Sequence, residues 1–391
     1  MFGKTFFSMG VAVLLMMTAC AADDLKWNPP VREGLDALIE RHRGEANAYA
    51  VFDCDNTTVI GDISQAYQIV MLEELHFACT PGEMKALLLK DIPNINRPLA
   101  AGRPAFTSAN LAADLADAYR ELLEMKKSGV DYRKSPVFDE FAAKYQSFYH
   151  GLISAFGTKM AYPWIGYLLA GYTRAEIAEF ECHAMKVEIA RGAITQQRFT
   201  VPQSQWRRAG LCSAEYTRGL AVPPENVALF AALRKAGITP HIVSASNREL
   251  LLAVFATKEF GFDLPESSVY GYTFRHDEAG KVLPEHTTDM WMPQQEGKVD
   301  FIRRELMPRF GGREPVLVGG DSMGDYAMLT SFKAMDRGLI FNHRPLRDDP
   351  LSKLVRESLS VDSSRYLIQG RDNATASLVP SPLCKVPSQG E

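Results

Sequence analysis

Four short apolar runs punctuate the chain, and each closes on small or polar residues of the kind that turn a backbone. Tyr49-Ala50-Val51-Phe52 leads into Asp53-Cys54-Asp55-Asn56-Thr57, Ile238 to Val243 into Ser244-Ala245-Ser246, and Pro315 to Gly319 into Gly320-Asp321; Gly338 to Phe341 is the fourth. Runs this short, apolar at consecutive rather than alternate positions, predict strands buried on both faces, as in a parallel sheet. Between them the spacing becomes helical: Glu225–Ala236 stopped by Gly237, then Arg248–Phe260, Gly297–Arg309 and Asp325–Phe332. Strands alternating with helices predict an α/β fold with a doubly wound, Rossmann-like parallel sheet. Such sheets bind ligands at the carboxyl ends of their strands.

The segment from about Asp62 to Pro224 breaks that rhythm. Its apolar residues recur at helical spacing, as in Leu111, Leu115, Tyr119 and Leu122 or Ile177, Phe180, Met185 and Ile189, and strand alternation is weak throughout. It reads as a helical domain inserted after the first strand. The expected organisation is therefore a core of 49–61 plus 225–371, a helical cap over 62–224, and a tether with an N-terminal helix over 21–48. The Ser- and Pro-containing tail, 372–391, is expected to be disordered.

Residues 1–20 have the layout of a secretory signal: Lys4, an apolar run from Phe6 to Met17, then small residues. The run is too short to span a bilayer. Its end, Met17-Thr18-Ala19-Cys20, resembles a bacterial lipobox, with Met17 where Leu is preferred. That resemblance implies an exported lipoprotein anchored in the membrane by lipid on Cys20, facing the periplasm or the cell exterior. A plain secretory signal cut near Ala19, Ala21 or Ala22 is the alternative. The Pro-containing stretch Asp23–Val31 would then tether the domain. Export permits disulfides. Without Cys20 the cysteines are Cys54, Cys79, Cys182, Cys212 and Cys384, an odd number, and Cys182 with Cys212 is one conceivable pair.

Charge removes one class of partner. The 391 residues hold 43 Lys plus Arg against 47 Asp plus Glu, a formal net charge of −4, with no dense basic stripe. A nucleic-acid partner is not expected.

Candidate chemistry sits at the ends of the apolar runs. Asp53 and Asp55, two apart on a turning loop, can both reach one small ligand. Close carboxylates repel and call for a cation or a shared proton, although the same residues also suit a solvated turn. Ser244 can hold a phosphate oxygen or cap the next helix. Lys298 lies in the first turn of its helix, where a cation is mildly unfavourable and a surface position is the ordinary reading. Asp321 and Asp325, four apart in the glycine-rich Gly319-Gly320-Asp321-Ser322-Met323-Gly324-Asp325, suit a hard cation such as Mg²⁺, or again a turn. Cys54, between the two acids, reads as a small packing group.

As an ordered set the four motifs are specific: Asp-x-Asp-x-Thr, then Ser, then Lys, then Gly-Asp-x-x-x-Asp. Over Tyr49–Asp62 and Glu225–Gly370 this resembles the haloacid dehalogenase superfamily, in its phosphoserine-phosphatase-like branch, and Val243-Ser244-Ala245-Ser246 resembles exported bacterial phosphocholine phosphatases. The resemblance implies a Mg²⁺-dependent phosphomonoesterase. Asp53 would be the nucleophile and Asp55 the general acid and base. Thr57, Ser244 and Lys298 would serve the phosphoryl group, and Asp53, Asp55, Asp321 and Asp325 the metal, with Asp325 acting through water or by orienting Lys298. A second Asp at position 55 favours phosphate ester hydrolysis over dehalogenation. The substrate would be a small phosphorylated alcohol, with phosphoserine and phosphocholine as candidates; a lipoprotein that binds ligand without turnover is the alternative of another class. Substrate choice would lie in the cap, which is rich in rings (Tyr119, Tyr132, Tyr145, Phe148, Tyr149, Tyr162, Trp164, Tyr167, Tyr172) that form either a cage for a quaternary ammonium or ordinary core. Glu73 and Glu74 could meet an amine.

Overall fold

The computed structural model describes residues 25–287, 292–361 and 364–385. The expected signal sequence, with Cys20, lies outside the described residues. From Lys26 onward the chain is docked rather than a free tether: the Lys26 amide donates to Glu225, and buried Asn28 joins its amide to Gln369 Oε1 (2.8 Å) and its side chain to Ile368 O (3.0 Å). A helix over Pro29–Arg41 follows, with proline at its first turn where an N–H is not needed.

Strand β1 (Tyr49–Phe52) leads into six helices, Ile63–Glu74, Pro81–Leu89, Ser108–Lys127, Pro136–Phe156, Thr158–Trp164 and Arg174–Ile189. An antiparallel hairpin, β2 (Thr195–Thr200) and β3 (Ser213–Arg218), completes the insert. The chain then alternates helix Pro224–Lys235, β4 (Thr239–Asn247), helix Arg248–Phe255 and β5 (Val269–Tyr272). A small hairpin of β6 (Phe274–His276) and β7 (Val282–His286) precedes a helical stretch from Glu296 to Arg309. Next come β8 (Leu317–Gly320), helix Tyr326–Thr330, β9 (Arg337–Asn342), helix Pro350–Leu359, β10 (Tyr366–Asp372) and β11 (Ser377–Leu378).

Seven strands form one sheet in the order β11-β10-β9-β8-β1-β4-β5, parallel except for β11. Its two faces explain the unbroken apolar runs. Ala50 and Phe52 face the layer with Leu35 and Phe230, while Tyr49 and Val51 face the layer with Ile302, Leu306 and Val355. The doubly wound α/β sheet with a largely helical insertion is thus present.

Several boundaries differ from expectation for physical reasons. The helix expected to reach Phe260 ends at Phe255, and the chain returns so that Leu264 N donates to Phe255 O (2.7 Å) while Phe260 and Phe262 are buried from the loop. Inside Glu296–Arg309 a wider π-turn occupies Ile302–Leu306, just ahead of Pro308, which has no N–H to give Arg304 O and whose ring crowds that carbonyl. The hairpin β2–β3 was not expected in the cap. The tail is ordered through Lys385: Leu378 and Val379 are buried, and Gln369 Nε2 donates to Val379 O (2.7 Å), so these apolar residues cover the open edge of β10. Cys54, Cys79, Cys182, Cys212 and Cys384 are all unpaired, so Cys182 and Cys212 do not form a disulfide.

Candidate active site

Three adjacent strand ends converge on one cavity. Phe52 is in register with Ile242 of β4 and Gly319 of β8, so Asp53, Ser244 and Asp321 emerge side by side at the carboxyl end of the sheet. The cavity measures about 550 Å³ and is lined by Asp53, Asp55, Ser244, Lys298, Asp321 and Asp325 from the core, with Ser64, Gln68, Tyr149, Thr158 and Tyr162 from the insert.

The loop after β1 is built by its own sequence. Asn56 adopts φ +57°, a conformation that asparagine tolerates better than most residues, and its side chain accepts from Arg371 (2.9 Å). The amides of Thr57, Thr58 and Val59 all reach Cys54 O, and Asn226 Nδ2 ties down Thr57 O and Thr58 O (3.0 and 2.9 Å). The turn leaves Asp55 facing the cavity with both oxygens engaged: Oδ1 accepts from Ile63 N (2.8 Å) and Oδ2 from Ser246 Oγ (2.6 Å). Burial, then the charge of Asp62, push the Asp55 carboxyl up to about 7 despite those two donors. Thr57 does not line the cavity; its hydroxyl donates to Asp321 Oδ1 (3.1 Å) and so braces that carboxylate.

Lys298 is buried, not on the surface. Its Nζ lies 2.8 Å from Asp53 Oδ1 and 2.6 Å from Asp325 Oδ1. Burial opposes the ammonium, yet Asp325 and Asp53 outweigh it and hold Lys298 above its ordinary range. Asp325 Oδ2 accepts from the amides of Asp321 (3.1 Å) and Ser322 (3.2 Å), so both its oxygens are engaged and it orients Lys298. Burial would raise Asp325, but Lys298 and those amides bring it below the usual carboxylate range. Asp53 goes the other way, raised by burial and then by the Asp325 charge. Asp321 is pushed up to about 8 by burial and by Asp325. His343 Nε2 sits 2.9 Å from Asp321 Oδ2 without hydrogen-bond geometry; burial and neighbouring arginines hold its imidazole down at about 3, so it is neutral.

Asp53, Asp321 and Asp325 offer carboxylate oxygens within 4.8 Å of one another, all buried. One lysine among three acids leaves an excess of negative charge that a hard cation would neutralise, and Asp53 and Asp321 fit as its ligands. Ser244 is buried, and its Oγ accepts from Ser246 N (3.2 Å). Burial and the two flanking acids push the Cys54 thiol well up, which suits packing rather than attack.

The expected cap residues divide sharply. Tyr149 and Tyr162 line the cavity, joined by Tyr272 of β5. Tyr145, Phe148 and Trp164 are core, Trp164 donating to Leu88 O (2.9 Å), and Tyr167 hydrogen-bonds Asp91. Glu73 pairs with buried Arg218 (2.7 Å) and Glu74 with His183 (2.8 Å), and neither lines the cavity. Asp62, Ser246 and Tyr272 were missed. Asp62 carried a legible signal as the cap of the helix Ile63–Glu74, where it accepts from Gln65 N (2.8 Å), but nothing in its spacing marked it as a cavity residue.

No family model matches the chain. A phosphorylcholine phosphatase from Pseudomonas aeruginosa is 24% identical over 277 residues, covering 68% of this chain and 62% of the relative, so the chain spans less than two thirds of that relative's length. The crystal structure of a conserved functionally unknown protein from Anaerococcus prevotii superposes with a TM-score of 0.79 at 26% identity, over 93% of this chain and 97% of that one.

Proposed function

We propose that this chain, which is of the haloacid dehalogenase type in fold and in the order of its motifs, is a Mg²⁺-dependent phosphomonoesterase acting on a small phosphorylated alcohol. The observation that carries the reading is the pairing of Asp53, held 2.8 Å from Lys298, with Asp55, whose carboxyl lies near 7, on one cavity. Asp53 attacks phosphorus, and the alkoxide leaves with the Asp55 proton. Asp55 then takes a proton from the water that hydrolyses the aspartyl-phosphate. Lys298 and Ser244 hold phosphoryl oxygens as charge shifts, and Asp325 keeps Lys298 aimed. Mg²⁺ on Asp53, Asp321 and the main chain of Asp55 would supply charge neutralisation between the carboxylate and the phosphate. A protein that only bound ligand would have no need of a second acid beside Asp53 on the cavity wall.

Phosphocholine fits the remaining wall best. Tyr149, Tyr162 and Tyr272 line the cavity together with Asp62, so aromatic faces and a carboxylate are offered to a quaternary ammonium. Phosphoserine is the second reading: Arg344 also lines the cavity and would meet a substrate carboxylate. In the same proposal the enzyme works outside the cytoplasm, anchored through Cys20, a reading supported by the layout of residues 1–20. The test is hydrolysis of p-nitrophenyl phosphate with Mg²⁺, followed by a screen over phosphocholine and phosphoserine. Activity that vanishes in Asp53→Asn supports the assignment; an inactive native protein, or an active Asp53→Asn, overturns it.

A further inference from the structure

Far from any catalytic residue in sequence, two cap loops share an unusual composition. Residues 92–106 and 201–213 together carry four arginines, Arg97, Arg103, Arg207 and Arg208, and no aspartate or glutamate, in a chain whose net charge is −4. They touch, because the Arg103 guanidinium donates to Leu211 O. At the tip of the second loop stand two large apolar side chains, Trp206 at 45% and Leu211 at 48% exposure. Arg207 and Arg208 are paired with Glu121, Glu140, Asp114 and Asp117, so the unpaired positive charge beside these two exposed apolar residues comes from Arg97 and Arg103.

The loop is held rigidly from beneath. Lys144, Asp114 and Glu140 are fully buried, with Lys144 Nζ 2.7 Å from Asp114 and 2.6 Å from Glu140. Asp114 also accepts from the amides of Arg208 (3.2 Å) and Ala209 (2.9 Å), and Glu140 from Arg207 (2.9 Å). The network grips the backbone on both sides of Trp206, at Gln205 O (3.4 Å) and at the amides of Arg208 and Ala209. Arg97 and Arg103 differ from Arg207 and Arg208: they pair with no carboxylate among the described residues, and they flank a cleft of about 540 Å³ lined by Pro98, Gly102 and Pro104.

We propose that these two loops form a docking surface for an anionic phospholipid bilayer. Tryptophan and leucine enter the headgroup boundary, where an amphipathic ring is favoured. Arg97 and Arg103, free of internal counter-charges, take lipid phosphates at the cleft. The surface lies outside the catalytic cavity, so the inference stands independently of the proposed reaction.

The experiment uses the full chain with vesicles of phosphatidylcholine alone or mixed with phosphatidylglycerol, each with brominated acyl chains that quench nearby tryptophan. Quenching several-fold stronger with phosphatidylglycerol, and lost in Trp206→Phe, is the expected result. Arg97→Gln should weaken partitioning about fivefold, the factor that ~1 kcal/mol per basic residue near the surface gives. Leu211→Ser should weaken it as well, and all three variants should keep the native protein's phosphatase rate because none touches the cavity. Equal quenching by both vesicle types, or quenching that survives Trp206→Phe, overturns the proposal. So does relief of quenching by millimolar glycerol phosphate, which would assign the cleft to a soluble anion. Concentration-dependent dimerisation abolished by Trp206→Ala would assign the face to a second copy and overturn it too.

Discussion

Ser246 donates a 2.6 Å hydrogen bond to Asp55 Oδ2, joining the first loop to the end of β4 and favouring the ionised form of the carboxyl. Burial and Asp62 act in the opposite direction and leave Asp55 at about 7. As a general acid Asp55 must be protonated, so kcat/KM for alkyl phosphates should fall as pH rises through that value. Ser246→Ala removes a donor to the charged form, which raises the Asp55 pKa and moves the fall to higher pH. A pH profile of the variant measures this; an unchanged or downward-shifted limb contradicts the role of Ser246.

The two acids of the first loop should fail differently. Asp53→Asn should eliminate turnover of every ester. Asp55→Asn should cost roughly 10²–10⁴-fold with phosphocholine, whose alkoxide needs a proton, and far less with p-nitrophenyl phosphate, whose leaving group does not. Comparing the two substrates on one preparation makes the check.

Crowded acids should make activity and metal-free stability oppose each other. Asp321 is pushed to about 8 by burial and by Asp325, so above that pH its charge is forced into a site with one lysine. EDTA should abolish activity and Mg²⁺ restore it. Asp321→Asn should be inactive, yet its metal-free Tm above pH 8 should exceed that of the native protein by a few degrees, and added Mg²⁺ should raise it little. Each kcal/mol is worth about 1–2 °C in a chain of this size. Differential scanning calorimetry with and without Mg²⁺ reads both effects.

Ring removal should depend on where the ring lies. Tyr149→Ala and Tyr162→Ala, on the cavity wall, should each lower kcat/KM for phosphocholine about two- to thirtyfold while sparing p-nitrophenyl phosphate. Tyr145→Ala and Trp164→Ala, in the cap core, should lose stability by about 3–5 kcal/mol instead. Kinetics and urea unfolding on the four variants separate the two groups.

What the sequence made legible follows from which forces act locally. β1, β8 and β9 were readable because strands buried on both faces are almost wholly apolar, and β4 from Ile238, Ile242 and Val243 despite its buried His241; their polar exits marked where Asp53, Ser244 and Asp321 would gather. The hairpin β2–β3 was not, because its inward positions on β3 are Ala214, Tyr216 and Arg218, and Arg218 is buried only through its partners Glu73 and Glu188. No period marks an arginine as a core residue. Taken alone, Lys298 read as a surface residue for the same reason, and only the order of the motifs pointed it to the site: the convergence of Asp53 and Asp325 makes its burial tolerable. The aromatic spacing of the cap announced a core but could not show that Tyr149 and Tyr162 turn toward Asp62 while Tyr145 and Trp164 turn away.

Borohydride trapping bears directly on the covalent role of Asp53. An aspartyl-phosphate is an acyl phosphate, and borohydride reduces it to homoserine at the attacked residue. Quenching turnover of phosphocholine or p-nitrophenyl phosphate into borohydride, then sequencing peptides by mass spectrometry, should place homoserine at position 53 only when substrate and Mg²⁺ are both present. An enzyme that turns over its substrate under those conditions with Asp53 unmodified, or with the label on another carboxylate, would contradict the account.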